Sequence, residues 1–222
     1  MGPSLASAGI ANFLADPVVE LRSSSGALLQ KNDNWRDDQE SQIQGTVFQP
    51  SDDRESVMIA TLAPGAYTAL LTGKDNTTGV GLVEVYDDDI GAASQLANIA
   101  TRGFVQTGND VMIAGFILGN NHGNRSIAIR GRGPSLRQFG LTNVLADPTL
   151  ELHNPNGSIL ISNDDWESDP VSAAQLTANG LALTDPKESG IFTSLPQGPF
   201  TAILAGKDGG IGIGVIEIYS IQ

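Results

Sequence analysis

The chain has 222 residues, with 25 Asp and Glu against 12 Lys and Arg and a formal net charge of −13, a balance that argues against nucleic acid and anionic membrane as partners. It contains no cysteine, which removes disulfides, thiolate catalysis and Cys-ligated zinc. No apolar run approaches the roughly 20 residues that span a bilayer, so membrane insertion is not expected, and the opening MGPSLASAG lacks the basic and apolar segments of an export signal, which an exported form would carry upstream.

Helical periodicity is almost missing. Short apolar or alternating runs bounded by Gly, Pro, Asn and Asp recur instead, the pattern of an all-β sandwich or barrel. In chain order, PSLASAG at 3–9 predicts a short helix, and strands follow at 18–22, 27–30, 56–62, 65–72 and 80–86. The turns SSSG and APG between them use Gly for positive φ and Pro for a preset entry angle. Residues 92–132, containing RGFVQTGNDVMIAGFILG and RSIAIRGRG, predict three strands at 102–106, 111–118 and 125–130. Beyond them PSLRQFG and VSAAQLTANG predict short helices, and the strand series returns with turns at NPNG and PQG.

The series returns because the sequence does. LADPVVELRSSSGALLQKNDNW at 14–35 matches LADPTLELHNPNGSILISNDDW at 145–166, the stretch from Glu55 to GKD matches the one from Glu188, and GVGLVEVY ending at Tyr86 matches GIGVIEIY ending at Tyr219. Trp35 to Glu55 spans 20 positions and Trp166 to Glu188 spans 22, so one loop has gained two residues in the second copy, as loops readily do. Two antiparallel β-sandwich blocks of jelly-roll type are expected, 1–90 and 131–222, joined by a strand-rich connector at 91–130. Nothing before Gly2 plays this part for the first copy, so the expectation is either one connector serving two blocks or one block left short of strands. A sheet short of strands presents open edges, and open edges pair with the next strand available.

With LANIATRGFV, RGRGPSL, LADPTLEL and NDDW in that order, the chain resembles the bacterial pre-peptidase C-terminal domain and, more closely, a related β-sandwich repeat of large secreted and cell-surface proteins of environmental bacteria. The resemblance covers nearly the whole chain. It implies an extracellular, non-catalytic module that works as an appendage, a binding unit or an assembly unit. The first copy departs from the pattern, since it begins at GPSL without the LANIATRGFV part and reads NDNW for NDDW.

Three sets of residues invite a functional reading. The turns Asn32, Asp33, Asn34 and Asn163, Asp164, Asp165, with Asp16 and Asp147 before the preceding hairpin, gather oxygen ligands of the kind that Ca²⁺ takes six to eight at a time. The competing reading is that Asn and Asp bond their own turn backbone, and neither segment has the EF-hand spacing. Trp35 and Trp166, the only tryptophans, follow those turns; exposed, they would stack on a sugar, whereas at the end of a turn a Trp more often covers the rim of the core.

Glu20 with Glu84, and Glu151 with Glu217, are carboxylates at matching strand positions, and carboxylate pairs hydrolyse glycosides. A catalytic site written into both halves of a short chain is a poorer reading than structural ion pairing, and no nucleophile, base and orienting group occur together, so the chain reads as not an enzyme. RGRGPSL and GGIGIG lack phosphate-loop spacing, and Arg130 and Arg132 are expected to pair with acidic faces of an adjoining block. His122 and His153 are not equivalent, have no partner at ligand spacing, and read as loop or surface residues.

The sequence therefore predicts an extracellular or cell-surface structural or interaction module, with other copies of itself or neighbouring modules as partners, joined by strand complementation and able to build a filament. The alternative is a polysaccharide- or protein-binding accessory module of a secreted enzyme, using Trp35, Trp166 and the acidic turns. An acidic hydrolase ranks last.

Overall fold

The computed structural model describes residues 1–88, 96–119 and 123–221; the expected boundary at 90/91 and His122 lie outside them. The chain divides into two compact units, Met1–Gln95 and Leu96–Gln222.

The first unit contains β1 (Pro17–Ser23), β2 (Leu28–Asn32), the four-residue helix α1 (Glu40–Ile43) and β3 (Tyr67–Gly73). Its strands form one antiparallel sheet in the order β2-β1-β3, with Val19 opposite both Asn32 and Leu71. Gly26 turns the β1-β2 hairpin at φ 82, as Gly157 does in the second copy, a left-handed conformation that a residue with a Cβ resists.

The second unit contains β4 (Asn98–Val105), β5 (Met112–Leu118), β6 (Arg125–Arg132), β7 (Pro148–His153), β8 (Ile159–Asn163), α2 (Pro170–Ala178), β9 (Ser189–Leu195), β10 (Gly198–Gly206) and β11 (Gly212–Ile221). They make two four-stranded antiparallel sheets, β5-β10-β7-β8 and β4-β11-β6-β9. Strands β7, β8 and β10 repeat the first unit's sheet in register, Leu150 standing opposite Asn163 and Leu204. Strands β4, β5 and β6 come from the stretch expected to be a connector. They are three of the eight strands of this sandwich, and the expected boundary after residue 130 falls inside β6, because the ladder with β11 runs on to Arg132.

Side chains alternate across each strand, so Leu150, Leu152, Ala202 and Leu204 of one sheet meet Ile127, Ile129, Ile216 and Ile218 of the other in a single buried cluster. The sheets approach closely at Gly131, where an added Cβ would lie 2.7 Å from a Leu204 methyl. The opposite face of β6 is covered too, since Ala128 packs with Trp166, Leu176 and Leu183 under α2. Asp169 caps that helix through the amides of Val171 and Ser172, with Pro170 leading its first turn. Burial on both faces explains why the centre of β6 reads as an unbroken apolar run. The segments PSLASA and PSLRQF form the expected short helices, both of the 3-10 type. Among the described residues no helix is long and apolar enough to cross a membrane.

Candidate functional site

Residues 56–62 and 80–86 match β9 and β11 in sequence and were expected as strands, yet neither forms a ladder. In the second unit β6 lies between β9 and β11 and bonds to both. A strand holds only where its N–H and C=O groups find partners, and among the described residues of the first unit no strand stands between the two segments.

One rung of that ladder exists. Met1 and Leu82 exchange backbone bonds at 2.5 and 2.9 Å, as Arg132 pairs with Val215. The next positions on this edge are Glu84 and Tyr86, whose counterparts Glu217 and Tyr219 face Arg130 and Ala128. Across the gap, residues 56–62 are held by one side only: the Val57 amide donates to Asn32 Oδ1 at 3.0 Å and the Ile59 amide to Gln39 Oε1 at 2.9 Å. The second unit does the same with Gly190 on Asn163 and Phe192 on Ser172. Because backbone groups alternate sides along a strand, the backbone of Met58 and Ala60 is left turned to the gap. Leu62, Val83 and Val85 are exposed, whereas their counterparts Leu195, Ile216 and Ile218 are buried.

The ion pairs at this edge differ between the units, the Met1 ammonium standing 3.7 Å from Glu55 in the first. In the second unit Arg130 Nε donates to Glu217 Oε2 at 2.7 Å and a terminal nitrogen donates to the Tyr219 hydroxyl at 3.0 Å, with Arg132 at 3.5 Å from the same carboxylate. Arg130, from the stretch read as connector, thus pairs with an acidic residue of the adjoining block 131–222, and Arg132 reaches the same Glu217 on the neighbouring strand β11. Burial raises the Tyr219 phenol above its usual value. In the first unit the exposed Glu84 is met by the Tyr86 hydroxyl at 3.1 Å.

The acidic turns close a different device. Lys74 Nζ stands 2.6 Å from Asp33 and 3.8 Å from Asp16, and Lys207 Nζ stands 2.5 Å from Asp164 while Lys187 takes Asp147 at 3.0 Å. The bond to Asp33 raises the Lys74 ammonium above its ordinary value, and the bond to Asp164 does so for Lys207. Asn32 and Asn163 are buried with amide oxygens committed to the Val57 and Gly190 amides, and their Nδ2 groups donate to the Asn34 and Asp165 carbonyls. Asn34 donates to Asp37. Of the expected calcium ligands, Asp147, Asp164 and Asp165 bring carboxylate oxygens within 4.8 Å of one another. Buried Oδ1 atoms of Asp16, Asp33, Asp147 and Asp164 have no hydrogen-bond partner.

Trp35 is 0% and Trp166 8% exposed, so neither ring presents a face to a sugar; the core reading applies to both, with Arg36 lying 4.2 Å over the Trp35 ring. Glu20 pairs with Arg22 and Lys31, and Glu151 with His153, which makes these carboxylates ion-pair members. Arg22 holds the Glu20 carboxyl below its usual range. His153, at the end of β7, is set between the Gly157 carbonyl and Glu151 at 3.0 and 2.8 Å. A shallow groove beside it is lined by Asn154, Pro199, Thr201 and Ile203.

Sequence reasoning missed Glu55 and Glu188, both 0% exposed. Glu55 accepts from the Gly2 and Ser4 amides and Glu188 from the Gly133 and Ser135 amides, so each carboxylate clasps the start of a GPSL helix. The repeated pair ES at the head of the second matching block was the available signal.

No family model matches this chain and no curated protein matches it in sequence. Among solved structures it is similar to the pre-peptidase C-terminal domain of a collagenase from Bacillus anthracis, at 12% identity over 55% of this chain and 89% of that chain, with a TM-score of 0.34.

Proposed function

We propose that this chain is a non-catalytic structural or interaction module in which a complete sandwich, the second unit, is joined to a repeat whose sheet is completed by strand addition between modules, within a chain or between subunits. The carrying observation is that residues 56–62 and 80–86 are similar in sequence to β9 and β11 while the place of β6 between them has no strand among the described residues. Exposed Leu62, Val83 and Val85 and an unpaired sheet edge support strand addition as the mode of binding. The phrases shared with secreted repeats support a cell-surface or extracellular setting, and neighbouring modules fit as partners.

Hydrogen exchange tests this reading. In the purified chain, amides of Met58, Ala60, Glu84 and Tyr86 should exchange far faster than those of Ile191, Thr193, Glu217 and Tyr219. Equal protection in a chain that light scattering shows to be monomeric would mean that the gap closes internally, and the proposal would fall.

A second reading, calcium at the second copy's turn, is supported by the three clustered carboxylates and the unpartnered Oδ1 atoms of Asp147 and Asp164. The fit is partial, since three carboxylates supply only part of calcium's oxygen shell and lysines already neutralise two of them. Calcium should raise the melting temperature of the chain, and Asp165→Asn, which copies the first repeat's Asn34, should abolish the rise. No calcium effect on the unsubstituted chain would eliminate this reading.

A further inference from the structure

We infer that the complete sandwich carries a self-association edge of its own: β5 pairs antiparallel with β5 of a second copy about a twofold axis at Gly115, joining two four-stranded sheets into one. This edge is separate from the gap in the first repeat and does not depend on it.

Sheets blunt their edges with charge, brevity or covering side chains, and three of the four edges among the described strands of this unit are blunted. The Gly190 and Phe192 amides on β9 donate to Asn163 Oδ1 at 2.8 Å and Ser172 Oγ at 2.7 Å. Strand β4 carries the exposed Arg102, and β8 has five residues that run straight into Asp164 and Asp165. Strand β5 has none of these devices. Its seven residues, MIAGFIL, include no charge and no proline, its register with β10 is unbroken, and among the described residues it pairs with no other strand. On its outer face Ile113 is 55% and Ile117 75% exposed.

Gly115, at the middle of β5, points to a second backbone. A glycine inside a strand costs stability and marks a bulge, a bend or the close approach of another chain. Here there is no bulge, φ is not positive, and an added Cβ would meet only the Phe200 carbonyl oxygen, at 4.0 Å. Nothing among the described residues of the unit requires the glycine, whereas an approach from outside does.

A second copy fits as that backbone in register and in charge. The antiparallel register that pairs all seven residues sets Gly115 opposite itself, Ile113 opposite Ile117, Ala114 opposite Phe116 and Met112 opposite Leu118. Large then stands against small at the rim of the core, where Ala114, Phe116 and Leu118 are only partly buried, and four isoleucines gather on the outer face. Each copy has a net charge of −13, so two copies approach at least cost where neither presents a charge. Asp110, the acidic residue nearest in sequence, lies beyond the end of the ladder. Seven pairs make a small interface, so the dimer is reversible and its population follows concentration.

The test uses the full chain, in sedimentation equilibrium with hydrogen exchange, and exploits the absence of cysteine. The mass should rise from 23.2 kDa toward twice that value with concentration, and alternate amides of Met112–Leu118 should slow as it does. Gly115→Cys should form a disulfide dimer readily under mild oxidation, because paired Cα atoms lie about 4.5 to 5.5 Å apart. Ile113→Cys should not, since its copy stands four residues along the partner strand, about 14 Å away. Gly115→Lys sets two charges together on the axis and should leave a monomer with an unchanged unfolding midpoint. A chain that stays monomeric at the highest concentration would overturn the inference, as would equal disulfide yield at 113 and 115. Association that survives Gly115→Lys while the β5 amides stay fast would also overturn it. Exchange at Met58, Ala60, Glu84 and Tyr86 reports the first repeat's edge separately, so either reading can fail while the other stands.

Discussion

Residues 56–62 resemble β9 in sequence and 80–86 resemble β11, yet only the second-copy segments are strands. The two pairs differ in company: β9 and β11 flank β6, and Val83 and Val85 are exposed where Ile216 and Ile218 are buried. The same alternating apolar sequence is a core strand beside a partner and an unpaired segment without one. Strand propensity is thus largely a measure of what a segment packs and bonds against.

The sharpest way to break this comparison is to truncate one position in both repeats. Leu204 is fully buried and its counterpart Leu71 only half-buried. Leu204→Ala should destabilise the second unit by about 3 kcal/mol through transfer and cavity costs, and Leu71→Ala the first by about 1 kcal/mol. Urea unfolding followed by hydrogen exchange reads the two units separately; losses of similar size would mean that the first repeat has a closed core.

The next effect separates the two glutamates on the β11 edge. Arg130→Ala leaves Glu217 buried without its main partner and should cost about 2 to 3 kcal/mol. Glu84→Gln should stay within about 0.5 kcal/mol in the free chain, as surface charges do. A large loss on Glu84→Gln would show a cation already bound there.

Smaller still, the lysine clasps should be alike in the two copies. Lys74→Met and Lys207→Met remove partly exposed ion pairs and should each cost about 0.5 to 1 kcal/mol, measured as shifts in unfolding midpoint. Loss in one copy alone would show that the acidic turns are not equivalent.

The smallest effect is a pH dependence confined to the second unit. The bond to the Gly157 carbonyl, helped by Glu151, raises the His153 pKa above its ordinary value. A group whose folded pKa is raised contributes stability that is complete below its unfolded pKa, about 6.5, and is lost as pH rises through the folded value. The first copy carries Arg22 at this place, which stays charged throughout. The second unit's midpoint should therefore fall slightly between about pH 6 and about pH 8 while the first unit's does not, and His153→Arg should flatten it. A slope that survives that substitution would assign the titration elsewhere.

Much of this architecture was legible in particular residues. The repeated LADP, GKD and NDNW or NDDW phrases located matching strands, and Gly26 and Gly157 marked matching turns. The Trp positions were legible as core because each directly follows a turn. The buried glutamates were not, because Glu55 and Glu188 read as ordinary acidic residues until a helix start more than 50 positions away closes on them. The partner of Arg130 was hidden for the same reason, its bond to Glu217 spanning 87 positions.

By itself the sequence determined the local matters: the alternation that makes strands possible, the turns that punctuate them, the absence of cysteine chemistry and the duplication of one block. Tertiary structure decided which possible strands exist, that the stretch before the second copy belongs inside its sandwich, and that one edge of the first repeat lacks a neighbour among the described residues. The reason is physical. Periodicity and turn chemistry act over a few residues, whereas a ladder needs a partner backbone and a buried side chain needs an opposing layer, and both are supplied by residues distant in the chain.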